Sequence, residues 1–209
     1  MERRDIEIMA PVGSYEALHA AIQAGAGSVY FGVGNLNMRS RSSNNFTIND
    51  LREIASIAKE YNIKSYLTVN TVIFDNELIE LQEIITAAKE SGITAIIASD
   101  MAAIMAARTI GIEVHISTQL NITNIEALKF YAQFADVVVL AREMDLEKVY
   151  EINRQIKEQQ IKGPGGKLVQ TEMFIHGALC MAVSGKCYLS LHEMNASANR
   201  GDCMQVCRR

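Results

Sequence analysis

With 209 residues, 49% of them apolar, the chain has material for one large domain with a substantial core. A formal net charge of −4 excludes a domain that grips nucleic acid over a broad basic face, so any RNA contact is expected to be local or supplied from elsewhere. The charged opening Met1-Glu-Arg-Arg-Asp5 lacks the apolar stretch of a signal peptide, and no run reaches the length of a membrane span. A cytoplasmic protein without a membrane partner is therefore expected.

Short β-rich runs alternate with longer amphipathic stretches. In chain order the runs are Ile6 to Ala10, Ser28 to Gly32, Lys64 to Val69, Ala95 to Ala98, Glu113 to Ile116, Val137 to Leu140 and Thr171 to Ile175. Between them Leu51, Ile54, Ala55, Ile57 and Ala58 recur at helical spacing, as do Leu78, Ile79, Leu81, Ile84 and Ile85. Asn49-Asp50 can cap the start of one helix, and Ser91-Gly92 can close another. This alternation predicts parallel βαβ units, which build either a (β/α) barrel or a doubly wound sheet.

The polar residues decide between the two. Asn70 follows the third run, Ser99-Asp100 the fourth, Ser117-Thr118-Gln119 the fifth, Arg142-Glu143 the sixth and His176-Gly177 the seventh. An open sheet gathers its functional groups at one switch point, whereas a barrel mouth takes one group from each strand end. The expected fold is an α/β, TIM-like barrel of about seven strands over residues 1–177. A cysteine-rich segment, 178–209, is expected to pack on its mouth. No eighth strand is legible after Cys207, so the barrel reads as unfinished and the chain as part of a longer protein. Gln159 to Lys167, with Gly-Pro-Gly-Gly at its centre, reads as a flexible surface turn. It is not a phosphate loop, because it precedes a strand and lacks the Gly-Lys-Ser/Thr ending.

All four cysteines fall within the last thirty residues, as Cys180-x6-Cys187-x15-Cys203-x3-Cys207. Four soft ligands so close in sequence can close one metal or iron–sulfur site. Zinc prefers paired knuckles of two to four residues, which x6 and x15 are not. A 4Fe–4S cluster tolerates irregular spacing, and buried free thiols are the plain alternative. Arg200, Arg208 and Arg209 are available to offset the charge of a thiolate cluster. His176 offers a base, a ligand or an anion contact, and equally a structural imidazole. Arg39 and Arg41 in the long loop after the second run, and Arg142 with its planar fork, suit a carboxylate or phosphate; Glu143 pairs with Arg142 or joins it in a substrate clamp. No His-Glu-x-x-His or Gly-x-Ser-x-Gly is present.

Glu172-Met-Phe-Ile-His-Gly-Ala-Leu-Cys180 followed by Gly185-Lys-Cys187-Tyr-Leu-Ser190 resembles the signature of the collagenase-like peptidase family, peptidases of unassigned mechanism. Met9-Ala-Pro-Val-Gly13, His115-Ile-Ser-Thr-Gln119, Leu140-Ala-Arg-Glu143 and Asn199-Arg-Gly-Asp-Cys-Met-Gln-Val-Cys207 extend the resemblance over essentially the whole chain. Within the family the chain looks most like the bacterial tRNA 5-hydroxyuridine branch. That branch implies oxygen-independent hydroxylation of the wobble uridine, with Cys180, Cys187, Cys203 and Cys207 on a 4Fe–4S cluster. It also implies tRNA as partner and prephenate as a small carboxylate co-substrate, for which Arg39, Arg41, Asn70, Arg142 and Glu143 are the expected binding residues. His176, Glu172, Asp100 and Gln119 are the expected catalytic residues. The family's older label implies proteolysis instead, and a zinc-stapled scaffold without chemistry is the third possibility.

Overall fold

A computed structural model describes residues 6–38, 40–41, 46–177 and 180–208. Its strands are β1 (Met9–Pro11), β2 (Ser28–Gly32), β3 (Lys64–Val69), β4 (Ala95–Ala98), β5 (Glu113–Ile116), β6 (Val137–Val139) and β7 (Gln170–Glu172). They form one parallel sheet in sequential order, β1 through β7. This is barrel order; a doubly wound sheet would reverse direction from its first strand. The sheet is curled into a half-barrel, as the strand-end polar residues predict.

The helices are α1 (Tyr15–Gln23), α2 (Leu51–Glu60), α3 (Leu78–Ser91), α4 (Met101–Thr109), α5 (Ile125–Tyr131), α6 (Leu146–Glu158) and α7 (Leu189–Met194). The first six each follow a strand. Short polar side chains start them: Ser14, Asp100, Asn124 and Asp145 accept backbone N–H groups at the beginnings of α1, α4, α5 and α6, each cap being worth about 1 kcal/mol. Asp50 precedes α2, as expected, and Gly92 ends α3 in the left-handed conformation (φ 86°). In α3 the buried stripe is Leu81, Ile84, Ile85 and Ala88; Ile79 falls on the far face and is exposed.

Period-two alternation divides each strand between two environments. Val29, Phe31, Leu67, Ile96, Val114, Ile116 and Val138 point outward into the core that the helices cover. Tyr66, Ala95 and Ile97 point inward, where Met9 and Tyr30 pack against them. The inward positions of β3, β5 and β7 therefore carry Lys64 and Tyr66, Glu113 and His115, and Glu172.

Two strand boundaries differ from expectation by three residues, the others by one at most. β1 begins at Met9, not Ile6, because pairing with β2 starts at Met9–Ser28. β7 ends at Glu172, not Ile175, so His176 lies four residues beyond the strand and is exposed. The Gly-Pro-Gly-Gly stretch is an ordered hairpin. Lys162 bridges Leu168, Gly165 N–H donates to Asp136 Oδ1 at 2.8 Å, and a Cβ at Gly163 would lie 2.8 Å from Ala135 O. Among the described residues no helix is long and apolar enough to cross a membrane.

Leu67 is fully buried in the helix-covered core. Leu67→Ala is expected to cost about 2–5 kcal/mol in urea unfolding, whereas Ile79→Ala, on the exposed face of α3, should change stability by less than about 0.5 kcal/mol.

Candidate functional site at the barrel mouth

The C-terminal ends of β3, β4 and β5 surround a cavity of about 130 Å³ lined by residues that include Met38, Asn70, Thr71, Asp100, Gln119 and Asn199. Asn70 is its hub. Its Nδ2 donates to Ser117 Oγ at 3.3 Å and to Gln119 Oε1 at 3.4 Å, while its Oδ1 accepts Met38 N–H at 3.0 Å. Ser99 Oγ donates to Asn70 O at 2.8 Å, and Ser117 Oγ donates to Gln119 Oε1. Thr71, which lines the cavity, presents a buried hydroxyl without a partner among the described residues, and a polar ligand in the mouth can satisfy it. The polar part of the lining is thus mainly neutral amide and hydroxyl groups, beside the apolar Met38, Val72 and Leu120.

Asp100 has a structural job in this arrangement. Oδ1 caps α4 through Ala102 N–H at 2.9 Å, and Oδ2 accepts Ile73 N–H at 3.1 Å, tying the β3 loop to β4. Of the expected anion-binding arginines, Arg39 lies outside the described residues. Arg41 makes an exposed pair with Asp202 at 3.4 Å, an arrangement that contributes little in water. Arg142 donates to Ser184 Oγ and stacks on the Phe174 ring, 5.5 Å from its centroid; Glu143 is exposed.

The cysteine segment closes over this mouth at three points. On the β5–β6 side, Asn121 Nδ2 donates to Ser184 O at 2.8 Å, and Gly185 (φ 70°) sits so close to Gln119 that a Cβ would meet Gln119 Cβ at 2.8 Å. On the β3 side, Val72 N–H donates to Asn199 O at 3.2 Å. Arg200 there grips Glu77 bidentately at 2.6 and 2.7 Å and lies 4.1 Å over the Phe74 ring. That grip holds the Glu77 carboxyl below its ordinary pKa. On the β2 side, Gly201 packs so tightly that a Cβ would stand 2.6 Å from Asn37 O.

All four thiols are free; Cys180, Cys187 and Cys203 are half-buried and Cys207 is exposed. Four unpaired thiols are the right donor chemistry for a cluster. Their arrangement does not fit one: among the described residues no three His, Cys, Asp or Glu side chains are grouped to hold a metal ion. Asn199 Oδ1, which fixes Cys187 N–H at 3.1 Å, and Ser190 Oγ, which accepts Met204 N–H at 3.0 Å, hold the segment in its present form. Arg200, expected to balance a cluster's charge, is engaged by Glu77.

Glu172 is not in the mouth. The tilt and stagger of a curled parallel sheet bring the later strands down relative to the first, and Glu172 couples electrostatically to Glu7 and Tyr66 inside the barrel. Burial and the Glu7 charge push its pKa up to about 7. Its neighbours escaped the sequence reading as functional residues. Glu7 accepts Lys64 Nζ at 2.5 Å and Tyr66 O–H at 2.7 Å, and His115 Nε2 lies 3.2 Å from Glu113 Oε1. The available signal was charge at alternate positions of strands otherwise apolar, as in Glu113-Val-His115.

The model of peptidase family U32 matches residues 13–209. A collagenase of Porphyromonas gingivalis is 63% identical over all of this chain and 50% of its own length. The chain belongs to peptidase family U32. Another relative, tRNA hydroxylation protein P1 of Bacillus subtilis, is 34% identical over 97% of this U32 chain and 46% of its own length. The chain thus spans about half the length of both relatives. The solved structure of the U32 peptidase Mk0906 matches 80% of this chain and 66% of its own with a TM-score of 0.59 at 13% identity. A tryptophan synthase alpha chain from Legionella pneumophila matches 83% of this chain and 72% of its own, with a TM-score of 0.52 at 12% identity, a likeness of fold alone.

Two outcomes follow from this geometry. Between its ordinary 4.5 and about 7, Glu172 binds more proton in the folded than in the unfolded chain, so it lowers stability as pH rises through that window. Glu172→Gln should therefore gain stability over wild type at pH 8 relative to pH 4, measured by urea unfolding at both values. Arg200→Ala removes the grip on Glu77. It should release the segment locally, speeding amide exchange in residues 196–204 severalfold while β3 to β5 stay protected.

Proposed function

We propose that this U32 protein is a collagenase-type peptidase acting on an extended polypeptide laid across the barrel mouth. The carrying observation is the 63% identity, over the whole chain, to a protein named collagenase; this favours proteolysis over the RNA-hydroxylation reading of the sequence. The mouth suits such a substrate. Amide groups of Asn70 and Gln119 and the unpartnered hydroxyl of Thr71 can pair with peptide N–H and C=O groups. Glu172 lies below the mouth; a substrate carbonyl that reaches down into the barrel would meet it, and its pKa near neutrality suits it to accept a proton from an attacking water and return it to the leaving amine. The test is cleavage of gelatin and of fluorogenic peptides by a protein of the relatives' full length, purified free of host proteases. Glu172→Gln should lower turnover about 10²–10⁴-fold. Undiminished cleavage in that variant removes Glu172 from the mechanism, and absence of cleavage by the wild type overturns the reading.

A different observation favours a second reading, hydroxylation of tRNA. Four free thiols stand in the segment that covers the mouth, and the relative at 34% identity is named for tRNA hydroxylation. A bound iron–sulfur cluster would supply redox chemistry there, and the segment would have to rearrange to gather Cys180, Cys187, Cys203 and Cys207. Anaerobic reconstitution with iron and sulfide, followed by metal analysis, distinguishes the two readings. About four irons per chain, together with 5-hydroxyuridine lost from tRNA in a deletion strain, would support hydroxylation. About one zinc and no iron would indicate a stapled scaffold.

A further inference from the structure

The segment that closes over the mouth carries a helix built inside out. α7 buries one residue, Ser190, and leaves Leu189, Leu191 and Met194 40%, 40% and 45% exposed. Tyr188, just before the helix, is 67% exposed. It stands at three-residue spacing from Leu191 and Met194, so these three share one face. The inner side is held by hydrogen bonds instead. Ser190 Oγ accepts Met204 N–H at 3.0 Å, and Ser190 O accepts Ala196 N–H at 3.2 Å.

A helix gains its place in a domain by burying an apolar stripe. The other six helices each do so; Ile79 of α3 is exposed, but Leu81, Ile84 and Ile85 beside it are buried. α7 has no buried apolar residue to set against its exposed ones, and it lies beside the turns Ala198–Arg200 and Val206–Arg208 of its own segment. A single exposed leucine is ordinary, whereas a helix with all its large apolar residues outside marks a contact surface.

The chemistry of this face limits what can cover it. From Tyr188 to Asn199 there is no lysine or arginine. A phosphate backbone or an anionic lipid surface is therefore a poor fit, and an apolar protein surface a good one. A second copy of the chain would have to bury about 800 Å² on each partner for a stable dimer, more than the partly exposed side chains of a six-residue helix offer. A surface on the same polypeptide needs far less, because its tether holds it at an effective concentration of about millimolar. The relatives have polypeptide to supply it: this chain spans 50% and 46% of their lengths.

We propose that the outer face of α7, centred on Tyr188, Leu191 and Met194, docks the part of the U32 polypeptide by which the relatives exceed this chain. The occupant is an apolar protein surface covalently continuous with it. Met204, bonded to the inner side of α7, adjoins Cys203, and Cys187 lies two residues before the helix. The docked part thus sets where those thiols stand over the mouth. The proposal holds whichever reaction the mouth performs.

The test uses a protein of the relatives' full length. Oxidation by dilute hydrogen peroxide, read by peptide mass spectrometry, should be at least about tenfold slower at Met194 in the native protein than in guanidinium chloride. At 45% exposure, an uncovered Met194 would oxidise at nearly the denatured rate. Leu191→Asp should restore fast oxidation of Met194 without changing the circular dichroism. Tyr188→benzoylphenylalanine should, on irradiation, crosslink within one chain to a peptide outside the region matched by these residues. Rapid oxidation of Met194 in the native wild type, protection that rises with protein concentration, or a crosslink to a second copy would each overturn the proposal. If Leu191→Asp fails to fold, the wild-type oxidation rates and the crosslinked peptide decide it.

Discussion

A parallel strand within a curled sheet shows its side chains to two different worlds in strict alternation, and the rest of this molecule depends on that constraint. One set meets the helices and must be apolar; the other meets the barrel interior, where polar groups survive only with partners or ligands. Leu67 and Tyr66 are adjacent in sequence, yet one belongs to the helix-covered core and the other to the interior hydrogen-bond network. A one-residue slip of β3 against its neighbours would exchange those roles along the whole strand, so the register that pairs Tyr66 with Ala95 also positions the chemistry.

The same alternation yields two levels of polar groups. The residues just past the outward-facing strand ends, Asn70 and Ser117, turn into the mouth and form a neutral network that the cysteine segment closes over. Deeper in, Glu7, Tyr66, Glu113, His115 and Glu172 form a charged level with different demands. The covering segment is held by few but well-made contacts: the bidentate Arg200–Glu77 pair, and glycines at 185 and 201 whose bare backbones permit close approach. A cover anchored at discrete points on three loops can be released locally while the sheet remains intact, which is the physical basis for any rearrangement that gathers the thiols.

The strands and the barrel architecture were legible because their signals are local. Lys64–Val69 and Ala95–Ala98 are β-rich runs whose ends match their pairing, and Asn70, Ser99 and Ser117 mark strand ends by polarity alone. The end of β7 was misjudged because Phe174 and Ile175 continue the apolar run; they extend it in sequence but not in pairing, and both are exposed. Asp100 looked catalytic for a related reason. A carboxylate after a strand reads as chemistry, yet the helix start two residues on and the Ile73 amide claim both of its oxygens.

By itself, the sequence determined seven parallel strands alternating with helices, a polar residue at most strand ends, the crowding of all four thiols into one segment and membership of a recognisable family. These are properties of neighbouring residues, written in periodicity and motif. Only the tertiary structure decided that Arg200 serves Glu77, that Asn70 organises the mouth, and that Glu172 joins Glu7 and Tyr66 inside the barrel instead of His176 near the cysteines. The reason is geometric. Strand tilt and stagger set which residues from distant strands share a level, and that offset accumulates across the sheet, where no local pattern records it.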